Sequence, residues 1–368
     1  MRIRPVLKVL LSPRRTFWEN EHLKAQLTRA LERADRTADE LGETDSLLAQ
    51  ATGELNRTRS ELLESGEKLV QRESSLDRAV AERDKLRLIL DDITRFAPPG
   101  HFYSPIPSKQ DITTYLAKRQ GNTVAHSYPG IVLADDKQLE LLNNLNTYYP
   151  LVPFKVKPTD GLLYHFDNPH YAYTDAIFLA CMLNHIRPRR LIEIGSGFST
   201  CAILDINRLF LDSQIRVTSI EPYADLLRSL VARSQDPLTI VESRLQETDI
   251  HIFDRLEPGD VLFIDSTHVA KVGSDVNYIF FEVLPRLARG VFIHLHDIYA
   301  DFEYPESWLR EGRAWNEAYL LRAFLEFNDS FRILLFVSYL QNAYETWFRQ
   351  NMPDTLVNKG GCFWMQKL

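Results

Sequence analysis

Cysteine is scarce: Cys181, Cys201 and Cys362 are widely spaced and form no CxxC pair. Neither a disulfide framework nor a cysteine zinc site is therefore expected, and buried thiols in a reducing compartment are. No stretch approaches the roughly 20 uninterrupted apolar residues of a membrane span. A basic excess is missing too: the net charge of -7 argues against nucleic acid as a partner. The opening MRIRPVLKVLLSPRR breaks its apolar core at Lys8 and lacks a small-residue cleavage site, so no signal peptide is expected. Arg2, Arg4, Lys8, Arg14 and Arg15 around Val6, Leu7 and Val9–Leu11 read either as a frayed tail or as a peripheral contact of residues 1–15 with an anionic membrane surface. The expected location is cytoplasmic.

Aromatic residues are almost absent from 20–95 but frequent from 96 to 368, so two kinds of structure are expected. Leu27, Ala34, Leu41, Leu48, Leu55, Leu62, Leu69 and Leu76 recur every seven residues. That spacing predicts a coiled-coil helix over 20–96 that buries its seam against another copy, giving a homo-oligomer. Ala30, Thr37, Thr44, Ala51, Thr58 and Ser65 supply only a poor second seam, and Gly42, Gly53 and Gly66 lie inside it. Each glycine costs about 1 kcal/mol relative to alanine, so the coil is expected to be thin. The run FAPPGHFYSPIPS ends the helix and makes 97–108 a stiff linker. Beyond the basic segment 1–19, the coil and the linker, 109–160 reads as a helical flank or lid, with helices at Gln110–Arg119 and Asp135–Asn146. Residues 161–368 read as the main domain.

In that domain strands and helices alternate. Helix 174–186 is followed by strand 190–194, helix 199–211, strand 215–220, helix 223–234 and strand 238–241. Then come strand 261–264, helix 274–287, strand 291–293, helix 315–327, and strands 331–337 and 361–366. The interval predicts an α/β fold: a doubly wound, Rossmann-like, mainly parallel sheet preceded by the long helix. In such a sheet ligands occupy the crevice at the carboxyl ends of the strands. The organising stretch is Leu191-Ile192-Glu193-Ile194-Gly195-Ser196-Gly197-Phe198-Ser199-Thr200, an apolar strand running into a glycine turn. Glu193, Glu221, Asp265 and Asp297 all stand at or beside predicted strand ends, so four carboxylates are expected in one crevice. The turn lacks the third glycine of GxGxxG, having Thr200 there, which disfavours a dinucleotide pyrophosphate. Glu193 before the turn and Glu221 after the second strand suit an amino-acid-bearing nucleoside, with Glu221 accepting the ribose hydroxyls.

These residues resemble the class I S-adenosylmethionine-dependent methyltransferases, whose first motif is E-x-G-x-G, over roughly 160–368. The resemblance implies that S-adenosylmethionine is bound by Glu193, Gly195, Gly197, Ser199, Glu221, Gln246, Glu247 and Asp265. Asp265-Ser266-Thr267-His268 and His296-Asp297 resemble a narrower branch, that of macrocin O-methyltransferase and cephalosporin hydroxylase-like proteins. There D-x-x-H and an acidic pair bind a divalent cation, which implies Mg²⁺ on Asp265 and Asp297, although His296 stands where that branch has an acid. Asp297 and His268 are the implied catalytic residues, His268 taking the acceptor's proton. Tyr299–Glu306, Trp308, Trp315, Asn316 and Glu317 are candidates for the acceptor wall, beside which an aromatic surface suits a sugar ring. The resulting expectation is an O-methyltransferase acting on a hydroxyl of a sugar, glycan or glycosylated natural product. The alternative is a coiled-coil scaffold with a degenerate methyltransferase-like binding domain.

Overall fold

The structure, a computed structural model, describes residues 17–51, 59–94, 96–119 and 127–368. The basic segment 1–15, read as a frayed tail or a membrane contact, lies outside these residues. Among them, no helix is long and apolar enough to cross a membrane. The described residues before 120, together with Leu309–Ala314, form one compact unit, and the remainder, from 127 on, form a second.

In the first unit the single coiled-coil helix expected over 20–96 is replaced by two helices, Phe17–Ala51 (α1) and Arg59–Thr94 (α2). They fold against one another within the chain. Arg72 of α2 donates to the backbone oxygen of Glu40 at 2.6 Å and to the hydroxyl of Thr44. Leu27, Ala34, Leu41, Leu69 and Leu76 are each only half-buried, whereas Thr44 is buried. The correction has a physical reason: alanine and threonine at the second seam give the heptad leucines little to interlock with, so a polar Arg–Thr contact sets the pairing. Helix α3 (Lys109–Arg119) starts at a reciprocal cap, in which the Asp111 amide donates to Ser108 Oγ (3.0 Å) and the Ser108 amide to Asp111 Oδ2 (3.1 Å).

The second unit contains Asp135–Asn146 (α4), Tyr173–Ile186 (α5), β1 (Arg190–Ile194), Phe198–Phe210 (α6), β2 (Arg216–Ile220), Asp225–Leu230 (α7), β3 (Leu238–Val241) and β4 (Val261–Ile264). Asp275–Tyr278 (α8), β5 (Phe292–Leu295), Glu306–Glu311 (α9, of which the residues from Leu309 on belong to the first unit), Glu317–Leu325 (α10), β6 (Phe331–Phe336), Val337–Ala343 (α11), Glu345–Asn351 (α12) and β7 (Phe363–Lys367) follow. The flank expected over 109–160 is thus divided, α3 belonging to the first unit and α4 to the second. The seven strands lie in the order β3-β2-β1-β4-β5-β7-β6. The first five are parallel, and β7 runs antiparallel to both its neighbours. Helix α5 is buried on nearly every side, as its continuous apolar sequence requires. Val261, Leu262 and Phe263 are 0% exposed, and burying each such side chain stabilises the fold by about 1.5–3 kcal/mol.

Two differences from the expected elements matter for the site. The helix after β4 is not continuous: α8 passes into a π turn at Ile279–Val283 and a last turn at Leu284–Arg286, where Pro285 has no amide proton to keep the ladder regular. Two helices, α11 and α12, also stand between β6 and β7. Register does the positioning: Ile194 pairs with Ile220 and Ile264, and Ile264 with Leu295. Gly195, Glu221, Asp265 and His296, the next residue of each strand, therefore emerge at one level of one edge.

Candidate functional site

The turn after β1 is built from beneath by Glu193. This carboxylate is 0% exposed. It accepts hydrogen bonds from Ser199 Oγ (2.7 Å), Thr200 Oγ1 (2.6 Å) and Ser219 Oγ (2.7 Å). Thr200 Oγ1 in turn accepts from the Gly197 amide at 3.1 Å. Glu193 and Ser199 thus hold the turn from within, bonded to one another. Three strand-end carboxylates, not four, reach the edge. Thr200 stands where a third glycine was sought because its hydroxyl ties the helix start to Glu193. Burial pushes the Glu193 carboxyl up to about 7, opposed by its hydroxyl donors.

The two glycines do different jobs. Gly195 has φ +82°, and a Cβ there would overlap the carbonyl oxygen of Asp265, so it serves the close approach of β1 to β4. Beside Gly197 a Cβ would meet nothing within 4 Å, and this is the side on which a ligand can reach the backbone. Ser196 Oγ is buried there without a hydrogen-bond partner. The Gly195 amide donates to Ile220 O at 3.0 Å, which places Glu221 beside the turn. Glu221 is half-buried, and its Oε1 accepts the Tyr223 amide at 2.8 Å. Farther along, Gln246 donates to Gly273 O at 2.6 Å and Glu247 is exposed. These groups fit a nucleoside: open backbone, an unsatisfied hydroxyl and a carboxylate beside the turn.

Between the ends of β4 and β5 lies a buried acid–base cluster. His268 is 6% exposed. Its Nδ1 is 2.8 Å from Glu317 Oε2, and its Nε2 is 3.5 Å from Asp265 Oδ1 and 3.6 Å from Asp297 Oδ2. His296 Nε2 is 3.5 Å from Asp297 Oδ1, and His296 Nδ1 is 3.8 Å from Asp175 Oδ1. Acid and imidazole therefore alternate from Glu317 through His268, Asp297 and His296 to Asp175. Burial opposes charge on His268, but Asp265 and Glu317 outweigh it and raise its pKa well above the ordinary value. Burial likewise opposes an imidazolium at His296, and Asp297, Asp265 and Asp175 outweigh it. Asp175 is pushed up to about 7 by burial, with His296 opposing. His268 and Asp297 both have left-handed backbones, φ 61° and 59°, a local strain often found where side chains must be aimed.

Glu317, offered by the sequence for the acceptor wall, is instead 1% exposed and bonded to His268; Asp175 was missed as a member of this cluster, and Gly360 and Gly361 were missed altogether. A Cβ at Gly360 would overlap the Asp175 carboxylate, and one at Gly361 would overlap the Asp297 backbone. The adjacent glycines before the last strand were the available signal. His294 is fully buried and stacked on Phe263 with centroids 4.3 Å apart, a packing role. Over the cluster, Trp315 packs against His268 (4.4 Å between centroids), and Trp308 and Tyr304 meet Trp315 edge-on at 5.1 and 5.9 Å.

The expected Mg²⁺ does not fit this donor set. Among the described residues no group of three or more His, Cys, Asp or Glu is arranged to hold a metal ion. An imidazole nitrogen occupies the place between Asp265 and Asp297 where the ion was expected.

Comparison with known proteins gives a consistent family context. Residues 192–298 match the family described as "Methyltransferase domain". An uncharacterised protein of Archaeoglobus fulgidus is 32% identical over 171 residues, 45% of this chain and 76% of that protein. Among solved structures, an SAH-bound Podospora anserina methyltransferase is similar at 14% identity and TM-score 0.35, with 70% of this chain and 96% of that one covered. An O-methyltransferase from Bacillus cereus in complex with SAH is similar at 16% identity and TM-score 0.34, covering 71% of this chain and 99% of that one.

Proposed function

We propose that this chain, which belongs to the class I S-adenosylmethionine-dependent methyltransferases and shares a family with the archaeal protein, methylates a hydroxyl of a sugar, glycan or glycosylated natural product. The observation that carries the reading is the placing of an open glycine turn, Glu221 and a buried His268 at or just beyond the ends of the neighbouring strands β1, β2 and β4. Gly197, Ser196 and Glu221 hold the cofactor. When bound it supplies a methyl group on a positively charged sulfur. Asp265, beside Gly195, adds negative charge next to that cation. His268, fixed through Nδ1 by Glu317 and with Nε2 facing Asp265 and Asp297, takes the proton of the acceptor hydroxyl in its neutral form, which its raised pKa confines to the higher pH range, as oxygen gains the methyl group. The aromatic face of Trp315, with Trp308 and Tyr304 behind it, suits the apolar face of a sugar ring.

Transfer of isotope-labelled methyl from S-adenosylmethionine to a panel of saccharides and glycosides tests the reading. Label is expected on a hydroxyl oxygen, and His268→Ala is expected to lower kcat by roughly 10²–10⁴-fold with SAH affinity retained. Label found only on nitrogen or carbon acceptors would overturn the assignment, and so would an unaffected His268→Ala enzyme. Residence at a cytoplasmic membrane surface is a further part of the proposal, supported by the basic segment.

A further inference from the structure

Asp297 is surrounded by donors from its own chain. Its Oδ2 faces His268 Nε2 at 3.6 Å, while its Oδ1 faces His296 Nε2 at 3.5 Å and accepts from the Tyr299 hydroxyl at 3.3 Å. The rings cannot easily swing away. His268 is held at Nδ1 by Glu317, which is itself 1% exposed and accepts from Ser266 Oγ at 3.0 Å. His268 is also covered by Trp315. His296, 4% exposed, lies with Nδ1 toward Asp175 and its ring 5.1 Å from that of Tyr171. Behind Asp297 the backbone leaves no slack, since Gly361 is in contact with it and the Ile298 amide is bonded to Gly361 O at 2.9 Å.

A divalent cation such as Mg²⁺ requires near-octahedral oxygen ligands at about 2.0–2.1 Å, and imidazole is a poor ligand for it. Here two carboxylates are available. The nearest strand-end neighbour is an imidazole, and a second imidazole fills the gap between the carboxylates.

We propose that His268 and His296 stand in this chain where a divalent cation would otherwise balance Asp265 and Asp297, so that the site binds its nucleoside and works without Mg²⁺. The inference rests on the methyltransferase reading for its cofactor, but its geometry belongs to the cluster alone. Fixed protein groups then fill the place of an ion, need no loading and cannot be removed by a chelator.

The test is isothermal titration of the full chain with MgCl₂ and with MnCl₂, each with and without SAH, and of SAH with and without EDTA. Wild type is expected to show no saturable cation binding up to millimolar concentration, and an SAH affinity that EDTA leaves unchanged. His296→Glu, which places a carboxylate beside Asp297, is expected to gain Mn²⁺ affinity at least tenfold over wild type. Saturable Mg²⁺ or Mn²⁺ binding by wild type that disappears in Asp297→Asn would overturn the proposal. An SAH affinity that collapses in EDTA and returns with Mg²⁺ would do the same, and a His296→Glu protein as inert to cations as wild type would remove His296 from it. Failure of SAH to bind under every condition would instead sink the methyltransferase reading, and the cation titrations made without SAH would still decide the present one.

Discussion

At the scale of single residues, Glu193 separates what a motif suggests from what a side chain does. The E-x-G-x-G spacing made it a ligand of the cofactor, yet its oxygens are taken by Ser199, Thr200 and Ser219 inside the domain. No periodicity in the sequence states on which face of β1 a carboxylate will be satisfied. That depends on hydroxyls from α6 and β2, some residues away in the chain. A pH dependence follows. Its carboxyl is raised from an ordinary 4.5 to about 7, so the folded state holds the proton more tightly than the unfolded one. The associated stability is fully present below 4.5 and is lost as pH rises through 7. At 1.36 kcal/mol per pH unit it is worth roughly 3 kcal/mol. Glu193→Gln, which carries no titrating group there, should lose about that much less stability than wild type between pH 4.5 and pH 8 in urea unfolding. Equal pH slopes in the two proteins would count against the buried-carboxyl account. Glu221 and His268 were legible as residues because each directly follows, or stands three beyond, a strand that the apolar pattern located. Asp175 was not, because it arrives from α5, on the far side of the Gly360 gap.

At the scale of elements, the parallel strands were readable because short runs such as Val261–Ile264 are apolar throughout, as a strand covered on both faces must be. Helix α4 was found at its observed bounds, its leucines spaced for one face. The helices α11 and α12 were not, since Ile333–Val337 is a single apolar stretch that runs from β6 into α11, and strand and helix residues look alike in it. Val337 begins the turn only after Phe336 completes its pairing with Phe363. Gly360 and Gly361 connect these elements to the chemistry by allowing β7 to enter the sheet against Asp175 and Asp297. Gly361→Ala should therefore destabilise the fold by about 1–3 kcal/mol, the usual cost of overpacking. It should also displace Asp297, seen as a shift of the His268 and His296 ring resonances in NMR spectra. A variant with wild-type melting temperature and unmoved histidine signals would show that the contact is relieved at no cost.

Across the whole molecule, the residues assigned to cofactor, base and positioning all lie in the unit from 127 on, and the first unit contributes none of them. The sequence division at the proline-rich run separated the aromatic-poor helices from the sheet. It did not foresee that the helices would pair within the chain, because heptad leucines specify a seam without specifying whose helix fills it. The account's central claim is that the carboxyl edge of the sheet is a nucleoside site gathered from separate strands. Calorimetric titration of the full chain with SAH, in wild type and in Glu221→Ala, tests it most directly. One molecule bound per chain and an affinity at least tenfold weaker in Glu221→Ala are predicted, whereas no binding to wild type, or equal binding to both, would contradict the claim.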